Sequence, residues 1–291
     1  MKPFLKWAGG KHKLVPIIRE LLPHGERLIE PFAGSGAVFL GTDFKQSLVA
    51  DINPDLISLF TYLKSQPEEL IGETKRLFIP QNNSQEAYYE LRTEFNNMEQ
   101  QLRKAAIFVY LNRHCFNGLC RYNASGKFNV PFGRYAAPSL PVNEMWSFAE
   151  KAERAEFVCK DFRQVFAEAR PGDVIYCDPP YVPLTETANF TGYSKGGFGP
   201  KDQDDLARLA RVASRNGVPV LISNHDNDCT RRLYDGAHIV DFGVQRFISR
   251  DAANRGVASE LIAVFGATNA EEAVADLRQM ESSCPRNEVL A

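Results

Sequence analysis

Short apolar segments with the composition of β-strands recur along the chain and alternate with segments of helical period. The strand-like segments lie at 27–30, 47–52, 155–162, 173–181, 219–225, 238–244 and 260–266. Apolar residues recur at helical spacing in 55–64 and in 201–217, and Gly217 is a suitable C-terminal cap for the second. Strands that alternate with helices predict an α/β fold built on a doubly wound sheet.

The alternation stops between about residues 65 and 150, where no strand pattern is present. Segments 85–97 and 100–114 have a helical period, and the loop-rich stretch after them contains SGKFNVPFG, which predicts a turn and hairpin. We interpret this block as a domain inserted between strands of the sheet. The predicted organisation is a discontinuous α/β domain (1–64 and 151–268), an inserted domain (65–150) and a polar C-terminal tail (269–291).

Three unusual motifs follow strands of the predicted sheet: FAGSG (32–36), Asp51 and DPPY (178–181). Ligands of doubly wound sheets bind at the carboxyl ends of the strands. Gly34 and Gly36 suit a tight turn and a close approach to a ligand, but their spacing matches neither a nicotinamide fingerprint nor a P-loop. Because Asp51 could accept hydrogen bonds from ribose hydroxyls, the combination favours a nucleoside cofactor.

The stretch VIYCDPPY (174–181) ends an apolar strand with a carboxylate, two prolines and an aromatic ring. Pro179 and Pro180 carry no backbone N–H, so they offer only carbonyl acceptors beside Asp178. Tyr181 adds a planar face. The segment therefore suits a planar ligand that donates hydrogen bonds, such as a nucleobase with an amino group, although an isolated Asp-Pro more often simply ends a strand.

The formal net charge is −2, but the charges are unevenly distributed. Residues 100–143 contain no Asp or Glu and carry Arg103, Lys104, Arg113, Arg121, Lys127 and Arg134. A positive face of this kind is the footprint expected for a polyanion such as nucleic acid. The alternative is a solvated face whose compensating acids are brought in by the fold.

Several classes of protein are disfavoured. The six cysteines form no CxxC pair and the five histidines form no HxxxH pair, so we expect reduced thiols and no metal. The N-terminus has no signal-peptide pattern and no apolar run reaches membrane-spanning length. We therefore expect a cytoplasmic protein without a membrane partner.

Taken in order, the motifs resemble those of a known family. FLKWAGGK (4–11), PFAGSG, the Asp-Ile-Asn at 51–53, YLNRHCFNGLCRYN (110–123), FNVPFGRY (128–135) and DPPY follow one another as in Dam-type (α class, D12) DNA adenine N6-methyltransferases specific for GATC. DPPYVPLTETANF and LISNHD add to the match, which runs from about residue 4 to 266. The resemblance implies a Rossmann-like S-adenosylmethionine-dependent methyltransferase sheet with an inserted, mainly helical DNA-recognition domain.

The resemblance also implies roles for individual residues. The catalytic positions would be Asp178, Pro179, Pro180 and Tyr181. The S-adenosyl-L-methionine site would include Trp7, Lys11, Phe32, Gly34, Gly36, Asp51 and Asp178, with Asp161 and Phe162, at the end of the third strand, near the cofactor's adenine. Double-stranded DNA would be contacted by Lys6, Phe116, Asn117, Leu119, Arg121, Asn123, Pro131, Arg134 and Tyr135. We expect a monomer or weak dimer, associated with the nucleoid through DNA.

The chemistry of the residues agrees with this resemblance. The exocyclic amine of adenine is a poor nucleophile, and Asp178 with the Pro179 carbonyl could accept both of its hydrogens and stabilise the charge that develops on nitrogen. The base must leave the duplex, at roughly a few kcal/mol. Phe116 and Asn117 would fill the gap, Arg121 would read a guanine, and the loop 182–199 would order over the flipped base.

Within the family pattern, Phe116 stands where a tyrosine is usual, and Ala136 and Ala137 stand where basic residues are frequent. We expect weaker phosphate anchoring and a shallower salt dependence there. Other functions stay open at this point: the same chemistry on another DNA sequence or on cytosine N4, or an inert DNA-binding protein on this scaffold. A nicotinamide oxidoreductase fits worst, because the glycine spacing and DPPY both disagree with it.

Overall fold

The computed structural model describes residues 1–182, 197–245 and 257–266. Its strands are β1 (Arg27–Glu30), β2 (Gln46–Asp51), β3 (Ala155–Cys159), β4 (Asp173–Cys177), β5 (Val220–His225), β6 (His238–Gln245) and β7 (Val257–Phe265). Its α-helices are α1 (Val15–Leu21), α2 (Ala37–Gly41), α3 (Pro54–Ser65), α4 (Pro67–Leu77), α5 (Gln85–Asn97), α6 (Leu102–His114), α7 (Val142–Ala152), α8 (Phe162–Ala167), α9 (Pro200–Arg215) and α10 (Asp228–Leu233).

The strands form a seven-stranded sheet in the order β3-β2-β1-β4-β5-β7-β6. β1 pairs in parallel with β2, β2 with β3, and β4 with β5. β7 runs antiparallel to both β5 and β6. The prediction of an α/β fold on a mainly parallel sheet is therefore confirmed, and each predicted strand is present.

The third strand is shorter than the sequence predicts, and this corrects the placement of Asp161 and Phe162. β3 ends at Cys159, and Asp161 caps α8 by accepting from the backbone N–H of Arg163 at 2.9 Å. Gln164 completes a capping box by accepting from the backbone N–H of Asp161 at 3.1 Å. Asp161 therefore begins a helix and does not end the strand.

Two compact units divide the chain. The first comprises Met1–Val15 and Arg27–Glu168, and the second comprises Pro16–Glu26 and Ala169–Ala291. The domain boundaries predicted from the sequence stay a prediction. The segment 183–196, most of the loop that we expect over a flipped base, and the predicted tail 269–291 lie outside the described residues.

The core of the first unit contains a cluster of aromatic rings at the junction of β3, α3 and α7. Phe148 stacks on Phe157 with ring centroids 5.8 Å apart, and Phe60 lies 4.6 Å from Phe148. α3 begins where Asn53 accepts from the backbone N–H of Asp55 at 3.0 Å, with Pro54 at its first position. Its buried face fixes the end of β2, which carries Asp51.

In the second unit, β4 and β5 are almost entirely buried, as expected for central parallel strands. Of the apolar face that the helical spacing of α9 predicts, Leu206, Ala210 and Ala213 are buried and Leu209 is half-buried. The helix is followed by Gly217 with a φ of +78°, a left-handed conformation that ends a helix readily. The predicted hairpin in the inserted block is also present, with isolated bridges joining Tyr122 to Phe128 and Cys115 to Phe132.

Candidate functional site

The glycine loop after β1 is tied to the end of β2 within the first unit. Gly34 has a φ of +50°, and its backbone N–H donates to Oδ2 of Asp51 at 3.1 Å. A Cβ atom on Gly34 would lie 2.7 Å from Nε1 of Trp7. The loop therefore needs glycine for its backbone conformation and for the packing of the indole ring.

Asp51 lies where β2 meets this loop. Its Oδ1 accepts from the backbone N–H of Asn53 at 2.9 Å. Burial raises the pKa of the Asp51 carboxyl, and the backbone N–H groups of Asn53, Gly34 and Ile52 oppose that shift. The carboxylate is thus held in one orientation by main-chain donors.

Ile52 was not singled out by the sequence analysis, but its environment is unusual. Ile52 is 70% exposed although it directly follows β2, which is buried from Ser47 to Ala50. A large aliphatic group next to a held carboxylate can cover the flat face of a heterocycle. The signal in the sequence is an isoleucine between the two polar residues Asp51 and Asn53, where the chain leaves the sheet.

Lys11, Phe32 and Phe162, which were also predicted to bind the cofactor, lie in the same unit. Nζ of Lys11 donates to the Gly9 carbonyl at 2.7 Å, which closes the Gly-Gly-Lys turn on itself. The rings of Phe32 and Phe162 are 5.4 Å apart, and the guanidinium of Arg163 lies 4.4 Å from the Phe162 ring. These contacts give Phe32 and Phe162 a packing role, and their roles toward a ligand stay predictions.

In the second unit, Asp178 and the two prolines follow directly on β4. The hydroxyl of Tyr181 donates to Oε2 of Glu260 at 3.1 Å, and its ring packs edge-to-face with His225 at 4.7 Å. Burial raises the pKa of Tyr181 well above its ordinary value, and the negative charges of Asp178 and Glu260 add smaller contributions in the same direction. The phenol therefore stays neutral and its ring is fixed.

The N-terminal segment and the inserted block meet at Asn112, which lies on α6. Asn112 Oδ1 accepts from the backbone N–H of Lys6 at 2.8 Å, and its Nδ2 donates to the Lys6 carbonyl at 2.7 Å. The Lys6 ammonium lies 4.0 Å from the centre of the Tyr135 ring. The structure thus brings together Lys6 and Tyr135, two of the residues predicted to contact DNA.

The segment predicted to wedge into DNA is presented to solvent. Phe116 is 50% exposed, and its backbone N–H donates to the Pro131 carbonyl at 2.8 Å. Asn117 has a φ of +53°, and its backbone N–H donates to the hydroxyl of Tyr135 at 3.0 Å. A non-glycine residue in this left-handed conformation is uncommon, and here the neighbouring contacts hold it.

Arg121, the predicted reader of guanine, is exposed and oriented by a neighbour in the hairpin. Its Nε donates to Oδ1 of Asn129 at 2.8 Å, and its terminal nitrogen donates to the Asn129 carbonyl at 3.3 Å. Asn123 supports the turn by accepting from the backbone N–H groups of Ser125 and Lys127, both at 3.0 Å. This gives Asn123 a structural role, while Arg134 is exposed with a φ of +54°.

The uniformly positive face predicted for residues 100–143 is wrong at two positions. Arg103 pairs with Glu73 and Glu94, both at 2.6 Å, and Lys104 pairs with Asp55 at 3.0 Å. The compensating acids come from other helices. The basic residues of the hairpin that follows, including Lys127 and Arg134, are exposed.

The sequence analysis also missed a polar network behind the hairpin, centred on the buried side chain of Asp55. The Tyr122 hydroxyl donates to Oδ2 of Asp55 at 2.7 Å, and Nε2 of Gln100 donates to Oδ1 of Asp55 at 2.6 Å. Asp55 lies in the first turn of α3, next to the end of β2. The network anchors the arm of the hairpin that carries Arg121 and Tyr122.

Among residues 1–182, 197–245 and 257–266, no group of three or more His, Cys, Asp or Glu side chains converges as a metal site requires. Within the same ranges, no helix has the length and apolar character needed to span a membrane.

Comparisons with known proteins give a consistent result. The family model for D12 class N6 adenine-specific DNA methyltransferases matches residues 7–248. A DNA adenine methylase from Vibrio cholerae serotype O1 is 51% identical over 265 residues, which cover 91% of this chain and 96% of that protein. DNA adenine methylases from Serratia marcescens and Escherichia coli K12 are 49% and 47% identical, over 91% of this chain and 98% and 95% of their own lengths.

Proposed function

Because the chain belongs to the D12 class of N6 adenine-specific DNA methyltransferases, we propose that it methylates adenine within double-stranded GATC, with S-adenosylmethionine as the methyl donor. Membership of the family makes it an adenine-specific DNA methyltransferase. The donor, the target sequence and the flipping of the base are our proposal. The observation that carries the chemistry is the Asp-Pro-Pro-Tyr segment that follows β4, with its acceptors and its fixed aromatic ring.

The residues around the glycine loop fit S-adenosylmethionine. The Asp51 carboxylate would accept from the ribose hydroxyls, Ile52 would cover the adenine, and Trp7 and Lys11 would shape the cavity around the rest of the molecule. Any side chain at Gly34 would fill part of the loop. When bound, the cofactor supplies an electrophilic methyl group on a sulfonium.

The residues after β4 would hold the target adenine. Asp178 and the carbonyl of Pro179 would each accept one hydrogen of the N6 amine, which favours a pyramidal nitrogen with its lone pair directed outward. Tyr181 would stack on the base, its ring already held by Glu260 and His225. Acceptors that are fixed before the reaction stabilise the charge that develops on nitrogen without reorganisation.

The inserted block would read and open the duplex. Phe116 and Asn117 project from a turn that Pro131 and Tyr135 hold, and would occupy the space that the adenine leaves. Arg121 would bind O6 and N7 of a guanine, Leu119 and Pro131 would contact a thymine methyl, and Lys6 would contact the first base pair. On this proposal residues 65–150 form the target-recognition domain.

The proposal is tested with a duplex in which 2-aminopurine replaces the target adenine. Its fluorescence should rise when enzyme and an unreactive cofactor analogue are added, because the base leaves the stack. Asp178→Ala should abolish methyl transfer to an unmodified duplex while DNA affinity stays close to that of the wild type. Transfer that persists in Asp178→Ala would contradict the catalytic assignment, and unchanged fluorescence would contradict base flipping.

A further inference from the structure

The segment Pro180–Val182 of the second unit is bound from two elements that flank it. Nε2 of Gln203 on α9 donates to the Pro180 carbonyl at 2.7 Å. At the end of β5, Oδ1 of Asn224 accepts from the backbone N–H of Val182 at 3.0 Å. Nδ1 of His225 lies 2.8 Å from the Val182 carbonyl, and because a carbonyl only accepts, Nδ1 carries the hydrogen.

Asn224 is fully buried and uses its whole hydrogen-bonding capacity. Its Oδ1 also accepts from the backbone N–H of His225 at 2.9 Å. Its Nδ2 donates to the hydroxyl of Tyr234 at 2.9 Å and to Oε1 of Gln203 at 3.4 Å. Tyr234, Asn224, Gln203 and Pro180 thus form one connected chain of hydrogen bonds.

This arrangement is costly to build for stability alone. Gln203 is 6% exposed and Asn224 is 0% exposed, and burying an amide is unfavourable unless its donors and acceptors are paired. Apolar residues would fill the same space between α9 and β5 without that requirement. A buried amide network is favoured where it holds a segment in one position.

The chemistry of proline explains why side chains are needed here. Pro179 and Pro180 have no N–H, so the segment cannot be fixed by main-chain donation from either residue. Its carbonyls and the N–H groups of Tyr181 and Val182 are the remaining main-chain groups. Gln203 binds the carbonyl of Pro180 and Asn224 binds the N–H of Val182, one on each side of Tyr181.

We propose that Gln203 and Asn224 are positioning residues for methyl transfer, which act through Pro180 and Val182 to fix the acceptors Asp178 and Pro179. This inference rests on the proposed function of the segment 178–181. Because a small misplacement of reacting groups costs orders of magnitude in rate, loss of one hydrogen bond to the segment should affect the chemical step more than binding.

The test uses the full chain and single-turnover methyl transfer from S-adenosylmethionine to a GATC duplex. Gln203→Met keeps the length and volume of the side chain and removes its bond to Pro180. We expect its single-turnover rate to fall roughly 10- to 100-fold, with the dissociation constants for cofactor and DNA nearly unchanged. Gln203→Glu keeps an acceptor for Asn224 but removes the donor, and we expect the same pattern.

Tyr234→Phe is the matched control. It removes one buried hydrogen bond of Asn224 but leaves both contacts with the segment 180–182, so it should lower the melting temperature while the rate stays close to that of the wild type. A single-turnover rate in Gln203→Met equal to that of the wild type would overturn the proposal. A fall in the rate of Tyr234→Phe in proportion to its loss of stability would overturn it as well. If Gln203→Met does not fold, Gln203→Glu decides by the same criteria.

The wild type serves as the reference that separates the two claims. Transfer by the wild type together with normal rates in the Gln203 variants overturns the positioning role and leaves the proposed function intact. Absence of transfer to any DNA by the folded wild type overturns the proposed function, and the positioning role falls with it.

Discussion

The backbone N–H of Gly34 donates to Oδ2 of Asp51 at 3.1 Å, and this hydrogen bond ties the glycine loop to the carboxylate at the end of β2. The second oxygen of Asp51 is bound by the N–H of Asn53 at 2.9 Å. Both oxygens are therefore oriented by the main chain. A substitution at either residue should change the affinity for the ligand that binds this part of the first unit.

The first prediction concerns Asp51→Asn. The amide has one acceptor oxygen, so its NH2 group must face either the N–H of Gly34 or that of Asn53. We expect the affinity for S-adenosylmethionine to fall by about 1–3 kcal/mol, measured by isothermal titration calorimetry. Asp43→Asn is the control, because the Asp43 side chain is 94% exposed. Equal affinities in the wild type and Asp51→Asn would contradict the role of this carboxylate.

The second prediction compares two glycines. Gly34→Ala places a Cβ 2.7 Å from the Trp7 indole at a φ of +50°, so it should lower the free energy of unfolding by roughly 1–3 kcal/mol and weaken cofactor binding. Gly72 lies within α4, and a Cβ there meets nothing within 4 Å. Gly72→Ala should therefore raise stability by about 0.5–1 kcal/mol. Denaturant titration measures the free energy of unfolding of both variants. A Gly34→Ala variant as stable as the wild type would contradict the close packing of Trp7 on Gly34.

The third prediction concerns sequence discrimination by Arg121. Arg121→Ala should reduce the preference for one guanine of the target by about 1–3 kcal/mol, measured as kcat/KM ratios on duplexes with single base changes. Lys127→Ala, in the same hairpin, should weaken binding to all duplexes about equally, since a phosphate contact carries no sequence information. Full specificity in Arg121→Ala would show that another residue reads this base.

The fourth prediction follows from His114, which is buried at the end of α6. Its ring stacks on Tyr110 with centroids 3.9 Å apart, and burial lowers the pKa of His114 to about 4. The unfolded chain takes up a proton at an ordinary pKa near 6.5 and the folded chain does not. The stability that His114 contributes is therefore complete above pH 6.5 and is lost as the pH falls toward 4.

The size of this effect is on the order of 3 kcal/mol across that interval. Unfolding free energies measured by denaturant titration at several pH values should fall less steeply in His114→Gln than in the wild type. Other groups add to the acid dependence of both proteins, so the difference between the two slopes is the quantity that counts. Parallel slopes would contradict the burial of a neutral histidine.

The local pattern of the sequence predicts the strands of the sheet and the motifs that follow them. The strands follow from apolar runs, and the glycine loop and the Asp-Pro-Pro-Tyr segment stand at strand ends as expected. The end of β3 was placed too late, although Asp161 and Gln164 have the spacing of a capping box and could have marked the start of α8.

Partners that lie far apart in the chain could not be predicted. Arg103 and Glu73 are 30 residues apart, and only the packing of the helices shows that this cation is neutralised and does not face a polyanion. Gln203 and Pro180 are separated by 23 residues, and no periodic pattern relates them. A ligand-binding role for Ile52 could not be predicted without its exposed fraction, because an isoleucine at a strand end is ordinarily part of the core.

The most direct test of the central claim is methyl transfer from S-adenosylmethionine labelled in its methyl group to two duplexes of equal composition. One contains a single GATC and the other contains the same bases scrambled. We predict label only in the GATC duplex, recovered as N6-methyladenine after digestion to nucleosides. Equal label in both duplexes, recovery of the label in cytosine, or no transfer by the folded enzyme would contradict the proposed function.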